Sequence, residues 1–208
     1  MMQKGVVPSV GGEGSGGPGF WKPPDSKGGR NEVVLLVKPD DIWATPNQVK
    51  LWKDNKFGGN SYPVNATWVD TGKNDPRHIL CPGEKPKYAA GIWVAFQDDS
   101  GQWKAGMWSV SKAVHTAIVN LYEDAPAYQG VINIMMVNKR WTVSYVSKKT
   151  APAEAKAVEP GDDETTKRLL GLYEDSDAVW EMLQEKLEVS SREEVMDAFG
   201  VGDDTELI

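Results

Sequence analysis

Residues 88–145 carry a succession of periodic segments that constrains the fold more than any other stretch of this chain. Two strand-like runs, residues 91–97 and 102–108, flank a loop that contains Asp98 and Gly101, which are residue types favoured in hairpin turns. The sequence therefore predicts a β-hairpin at the centre of this stretch.

A helix and two further strands follow the hairpin. The helix runs from Ser111, a suitable N-cap, to about residue 124, because apolar residues recur there at helical spacing. The strands are residues 131–137 and 141–146, and an earlier apolar run, residues 33–37, supplies one more. This element order is that of an OB-fold barrel, and other small β-barrels and α+β folds share it.

We therefore predict a mainly β protein with an OB-fold-like five-stranded barrel. One helix lies between strands 3 and 4, a long insertion follows strand 1, and a small acidic helical appendage ends the chain. In that appendage, apolar residues predict two short helices, and a third short turn opens at Ser191, with Ser190 or Ser191 as its cap, and runs to Phe199.

Charge divides the chain into a basic body and an acidic end. Residues 1–149 contain 18 Lys and Arg against 13 Asp and Glu, a net +5, whereas residues 150–208 contain 5 against 17, a net −12. This asymmetry indicates an acidic partner for the body and a separate role for the tail, although many soluble proteins also end in acidic segments. We predict a flexible Gly-rich arm (1–19), an OB-fold body (20–149), a linker (150–166) and an acidic helical tail that binds partners (167–208).

Aromatic and basic side chains are interleaved in the body. The run from Phe20 to Pro24 and the insertion at 39–87 both place tryptophans near lysines. Aromatic faces can stack on unpaired bases, at about 1–3 kcal/mol each, while Lys and Arg contact phosphates. The alternative is that these aromatics pack the insertion and cover one end of the barrel.

Strand alternation places Trp93 on the face opposite the aliphatic side chains of residues 92–96, and therefore on an outer, binding face. Lys104 is expected to face solvent or ligand, and Arg140 precedes the last strand in a turn. The candidate nucleic-acid-binding residues are Trp21, Lys22, Trp43, Lys53, Lys56, Arg77, Lys85, Lys87, Tyr88, Trp93, Lys104, Arg140 and Trp141.

Catalytic and metal-binding patterns are not found in the sequence. His78 and Cys81 have metal-ligand spacing, but the chain holds one Cys and only one other His, whereas a structural zinc site takes four such ligands. There is no Ser/His/Asp set, phosphate loop or assignable acid/base pair. We expect a protein that is not an enzyme and that has no cofactor and no metal. The single Cys favours a reducing compartment, and no apolar run is long enough for a membrane span.

The chain from Phe20 to Lys148 resembles the single-stranded-DNA-binding proteins of tailed bacteriophages. The shared features are the Phe20–Pro24 run after a Gly-rich start, the strand at 33–37, Cys81-Pro82-Gly83-Glu84 before Lys87-Tyr88, and the elements over residues 92–121. Some phage relatives carry a zinc site of several Cys and His near this insertion, and only His78 and Cys81 stand there in this chain.

The resemblance implies an OB-fold that binds single-stranded DNA without sequence preference during phage DNA replication and recombination, in the host cell cytoplasm. It also implies an acidic tail that recruits replication or recombination proteins. The tail residues are Asp203, Asp204, Glu206, Leu207 and Ile208. Two other functions stay open: a protein–protein adaptor or transcription co-activator that acts through the tail, and a virion structural protein with a β-rich body and a Gly-rich arm.

Overall fold

The computed structural model contains the strands and the helix that periodicity predicts in the body. The elements in chain order are β1 (Gly19–Phe20), β2 (Asn31–Leu35), β3 (Trp43–Leu51), β4 (Ala66–Val69), β5 (Lys87–Gln97), β6 (Trp103–Val110), α1 (Lys112–Asp124), β7 (Val131–Val137), β8 (Arg140–Tyr145), α2 (Ala153–Lys156), α3 (Asp163–Leu170), α4 (Asp177–Leu187) and α5 (Arg192–Ala198), with 3-10 helices at Pro39–Asp41 and Pro76–Leu80. The structure describes residues 19–24, 31–51, 66–70, 72, 74–81, 83–124, 127–172 and 177–200. Most of the predicted arm lies outside these ranges.

The chain divides into two units that are each formed from separate stretches of sequence. Unit 1 comprises Met1–Trp43 and Ala90–Leu170, and unit 2 comprises Ala44–Ala89 and Gly171–Ile208. The predicted boundary at residue 149 therefore differs from the observed one, because residues that precede and follow it belong to the same unit.

Unit 1 is built on a mixed sheet with the strand order β1-β6-β5-β2-β7-β8. β1 runs parallel to β6, and every other neighbouring pair on this path is antiparallel. Among the described residues no pairing joins β1 or β6 to β8, so the sheet is open and the predicted barrel closure is not seen. The mainly β character is confirmed.

The predicted hairpin between β5 and β6 is confirmed, with its register centred on the pair Val94 and Gly106. The Asp98 carboxylate organises the loop by accepting hydrogen bonds from the Ser100 amide at 2.9 Å and the Gln102 amide at 3.0 Å. Gly101 has a φ of +81°, which a residue with a side chain rarely adopts. The turn chemistry of Asp and Gly therefore fixes this hairpin locally.

One face of the sheet, here called the core face, carries the aliphatic side chains that alternation predicts. Ile92 and Val94 are fully buried there, and the strand registers place Leu35 and Ile132 on the same face. Helix α1 contacts β8 and buries its own apolar stripe, which includes Ile118. The 3.6-residue spacing of that stripe is what makes this segment a helix with one buried side.

The opposite face, here called the outer face, is covered by residues 151–170, which we call the strap. Helices α2 and α3 of the strap both contact β6. Ala151, Ala155 and Leu170 are buried in this contact. The segment predicted as a linker, residues 150–166, contains α2 and the start of α3, because isolated small residues that lack periodicity still pack against a sheet.

Unit 2 joins the insertion to the C-terminal helices around one small core. The hairpin of β3 and β4 pairs Val49 with Trp68, and α4 contacts both α5 and the 3-10 helix Pro76–Leu80. The core side chains are Val49, Trp68, Cys81, Val179, Trp180, Leu183 and Val195. Helices α4 and α5 are thus half of a discontinuous unit and not a separate appendage.

The N-cap predicted at Ser190 or Ser191 is Ser191, and it forms a capping box with Glu194. The Ser191 hydroxyl accepts a hydrogen bond from the Glu194 amide at 3.2 Å, and the Glu194 carboxylate accepts one from the Ser191 amide at 3.3 Å. In the part of the chain that the structure describes, no helix is both long and apolar enough to span a bilayer.

Candidate nucleic-acid interface

Trp21 lies in the core of unit 1 and does not present its face to solvent. Its ring packs against Phe96 at a centroid distance of 5.7 Å and meets Trp108 edge-on at 6.0 Å. A side chain at Gly106 would come within 2.5 Å of the Trp21 Cβ atom, so this glycine permits the close approach. The prediction that Trp21 is available for stacking is therefore wrong for this conformation.

The neighbours of Trp21 are exposed on the edge of the sheet. Phe20 is 57% exposed, and Lys22 is exposed as well. Burial alternates along the extended segment that continues from β1, so that Trp21 faces the core while Phe20 and Lys22 point away from it. The accessible groups at the N-terminal edge are thus Phe20 and Lys22.

Trp93 is buried on the outer face, where its ring is covered by the strap. Only 3% of Trp93 is exposed, and its indole N–H donates to the Thr166 hydroxyl at 2.8 Å. Alternation places Trp93 on the predicted face, but the expectation that this face is exposed is wrong. The physical reason is that the strap satisfies both the apolar ring and its polar N–H group.

Trp43 is half-buried and is held by two charged side chains of α3. Its indole N–H donates to the Asp163 carboxylate at 3.1 Å. The Lys167 ammonium lies 5.1 Å from the ring centroid, within the range of a cation–π interaction. α3 therefore contacts both Trp43 and Trp93.

Lys104 is exposed, as predicted, and Arg140, predicted to lie in a turn before the last strand, is the exposed first residue of β8. The Lys104 ammonium is 2.6 Å from the Asp98 carboxylate. That contact, together with the hydrogen bonds from Ser100 and Gln102, holds the pKa of Asp98 well below its usual range. Trp141 is half-buried beside Arg140.

A second aromatic–cation pair was not recognised in the sequence. The Lys38 ammonium lies 5.7 Å from the ring centroid of Tyr128, which is 41% exposed. The two residues are 90 positions apart, and only the pairing of β2 with β7 brings their loops together. Sequence spacing alone carries no signal for this pair.

Arg77 belongs to the core of unit 2. Its guanidinium binds Asp75 through two hydrogen bonds, Nε to Oδ1 at 2.9 Å and Nη2 to Oδ2 at 2.8 Å, and Nη2 also donates to the Val69 carbonyl. It lies 5.6 Å from the Trp68 ring centroid and 5.4 Å from that of Trp180. The prediction that Arg77 contacts phosphate is therefore wrong for this conformation, because the side chain is buried and ion-paired.

The remaining candidates of unit 2 are more accessible. Lys85 and Lys87 are exposed, and Tyr88 is half-buried, where burial raises the pKa of its hydroxyl. Lys53 and Lys56 lie outside the described residues, as do the tail residues Asp203, Asp204, Glu206, Leu207 and Ile208.

His78 and Cys81 are separately engaged and do not converge. His78 Nε2 is 2.8 Å from an Asp70 carboxylate oxygen, and the Cys81 thiol is 3.8 Å from the Arg77 carbonyl. Burial, followed by the nearby carboxylates, raises the pKa of Cys81 to about 11. Within the described ranges, no three His, Cys, Asp or Glu side chains are grouped so that they could hold a metal ion.

Three comparisons bear on the family of the chain. No family model matches it, and neither a curated protein nor a solved structure matches it.

Proposed function

We propose that unit 1 is an OB-type sheet that binds single-stranded DNA without sequence preference. The observation that carries this proposal is the strand order β6-β5-β2-β7-β8 with α1 between β6 and β7. Numbered along these five strands, this is the order third, second, first, fourth, fifth, with a helix after the third. OB-folds use that arrangement and bind oligonucleotides on the face of their second and third strands.

Accessible aromatic and cationic side chains in unit 1 support the proposal. Phe20 and Tyr128 expose ring surface, and Trp43 and Trp141 are half-buried. The exposed cations of this unit include Lys22, Lys38, Lys104 and Arg140. Rings of this kind stack on bases of any sequence, while the cations follow the phosphates.

Affinity for DNA should depend on salt only moderately. Unit 1, residues 1–43 and 90–170, contains 14 Lys and Arg against 14 Asp and Glu, a net charge of zero, so few phosphates are neutralised when a strand binds. Base stacking then supplies the larger part of the binding free energy. The protein would protect single strands in phage DNA replication and recombination, with residues 203–208 recruiting partner proteins, and it would have no catalytic activity.

A titration of intrinsic tryptophan fluorescence tests the proposal. We expect a single-stranded oligonucleotide to quench the emission, and the matching duplex to leave it unchanged, at low and at physiological salt. Replacing Tyr128 with Ser should weaken single-strand binding, because an exposed ring is removed. The matched control is Val137→Ser, since Val137 is exposed to a similar extent, 45%, in unit 1. Absence of quenching by either DNA form in a folded protein contradicts the proposal.

One observation in unit 2 favours the adaptor function as a second candidate. Asp177, Glu181 and Glu185 are exposed on α4 and recur every four residues, so they form one acidic stripe. Val179, Trp180 and Leu183 face the unit's core from the same helix. An adaptor would bind a basic partner through this stripe, and the pair of changes Glu181→Gln and Glu185→Gln would abolish that binding while leaving DNA binding intact.

A further inference from the structure

The strap makes close and specific contact with the outer face of the sheet. A side chain at Gly161 would place its Cβ atom 2.5 Å from Cζ2 of Trp93, closer than non-bonded atoms approach. Thr166 accepts the Trp93 indole N–H at 2.8 Å. Because Gly161 has no side chain, the strap backbone can lie directly on the indole ring.

The strap contacts a second tryptophan, Trp43, through charged side chains. Asp163 accepts the Trp43 indole N–H at 3.1 Å, and Lys167 lies over its ring. Asp163, Thr166 and Lys167 all belong to α3, so this one helix contacts both Trp43 and Trp93. The same two rings would otherwise be available to stack on bases.

The exposed surface of the strap is acidic at its centre. Glu159, Asp162, Asp163 and Glu164 are all exposed and follow one another within six residues. Asp162 is fixed in place, because its carboxylate accepts a hydrogen bond from the Thr165 amide at 2.6 Å, and this lowers its pKa. These carboxylates lie on the segment that covers Trp93, and their negative charge has the same sign as that of a nucleic-acid backbone.

We propose that the strap occupies the path of single-stranded DNA on the outer face and leaves it when a strand binds. Bases then take the place of Gly161 on the Trp93 ring and of Lys167 on the Trp43 ring. This inference rests on the proposed function and locates the binding path on the covered face. It assigns the displaceable cover to residues 151–170, and not to the acidic end of the chain.

The variant Gly161→Ala tests the inference in the full chain. Its added methyl group collides with Trp93 and should loosen the strap without altering the sheet, so affinity for an oligo-dT of about 16 nucleotides should rise roughly tenfold, equivalent to about 1.4 kcal/mol. The matched control is Ala157→Ser, which adds one atom at an exposed position of the same segment and should leave affinity unchanged. Equal affinity of wild type and Gly161→Ala overturns the inference.

Hydrogen exchange distinguishes a strap that DNA displaces from a strap that is purely structural. Oligo-dT should accelerate exchange of the α3 amides in the wild-type protein, including the Thr166 amide that bonds to the Asp162 carbonyl at 2.9 Å. Thr166→Val, which removes the contact to Trp93, should show faster exchange before any DNA is added. If the protein binds oligo-dT while α3 keeps or gains protection, the inference is overturned and the proposed function stands. If no variant binds oligo-dT, both are overturned.

Discussion

Unit 2 buries an ion pair between Arg77 and Asp75, whose neighbours determine its role. Arg77 is ion-paired to Asp75 and lies between the rings of Trp68 and Trp180. Its planar guanidinium makes two parallel hydrogen bonds and two ring contacts at once, which a Lys ammonium could not do. The role of Arg77 is therefore structural, and it links the 3-10 helix of the insertion to α4.

Replacing Arg77 with Met should lower the free energy of unfolding of unit 2 by about 3–5 kcal/mol. The cause is the Asp75 carboxylate, which would stay buried after losing the charged side chain that forms its ion pair. Urea unfolding followed by tryptophan emission measures the change. As a control, Lys85→Met removes an exposed cation and should change stability by less than about 0.5 kcal/mol. An unchanged stability of the Arg77 variant would contradict this structural role.

Cys81 should make the stability of unit 2 depend on pH in the alkaline range. Its pKa is raised from 9.0 to about 11 in the folded protein, chiefly by burial. The folded state therefore keeps the thiol proton when the unfolded state has lost it, so this contribution is present below about pH 9 and is lost as pH rises towards 11. Urea unfolding at several pH values should show a steeper alkaline loss for the wild type than for Cys81→Ala. Parallel pH profiles would disprove the assignment.

At the scale of elements, the strap covers the Trp93 ring but contributes few buried apolar side chains of its own. Leu170 is its one large buried aliphatic side chain, and Ala151 and Ala155 add little area. Burial of such a Leu contributes about 1.5–3 kcal/mol. Stacking of two bases, at about 1–3 kcal/mol each, is of the same size, so a bound strand could replace these contacts. β2 differs from the strap, because its buried Val33, Val34 and Leu35 lie between two paired strands.

The capping box of α5 gives a prediction for a single element. Replacing Ser191 with Ala removes the acceptor for the Glu194 amide and should lower the free energy of unfolding by about 1 kcal/mol. Thermal or urea unfolding of unit 2 measures the loss. Ser147→Ala, at an exposed site outside any helix, serves as the control and should be neutral. Equal effects of the two changes would show that the cap does not stabilise α5.

On the scale of the whole molecule, each unit depends on stretches of chain that are distant in sequence. Unit 2 needs α4 and α5 because Val179, Trp180 and Leu183 share a core with Val49 and Trp68. A chain shortened to end at Leu170 should therefore lose the tertiary structure of unit 2. A chain that ends at Gly200 should keep it, since the buried residues of α5 are retained.

Limited proteolysis of residues 44–89 and near-ultraviolet circular dichroism distinguish these two shortened chains. We expect rapid cleavage of the insertion and loss of tryptophan ellipticity only for the chain that ends at Leu170. An insertion that stays protected in this shorter chain would show that unit 2 folds without α4 and α5.

The periodicity of the body determined its secondary structure. The hairpin at Asp98, helix α1 and the strands on either side follow from local turn chemistry and apolar spacing, which act within a few residues. The N-cap at Ser190 or Ser191 could be predicted in the same way, from local residue types. The pairing of β1 with β6 could not be predicted in this way, because a strand of two residues carries no periodic signal.

The tertiary structure decided whether individual side chains are buried or exposed. Alternation placed Trp93 on the correct face, but whether that face is exposed depends on the strap, whose contacts are made by single residues such as Gly161 and Thr166. From the sequence alone, Arg77 is expected to be a surface cation, whereas in the structure Asp75, Trp68 and Trp180 surround it. Periodicity reports the direction of a side chain relative to its own element, whereas burial depends on what other parts of the chain lie against it.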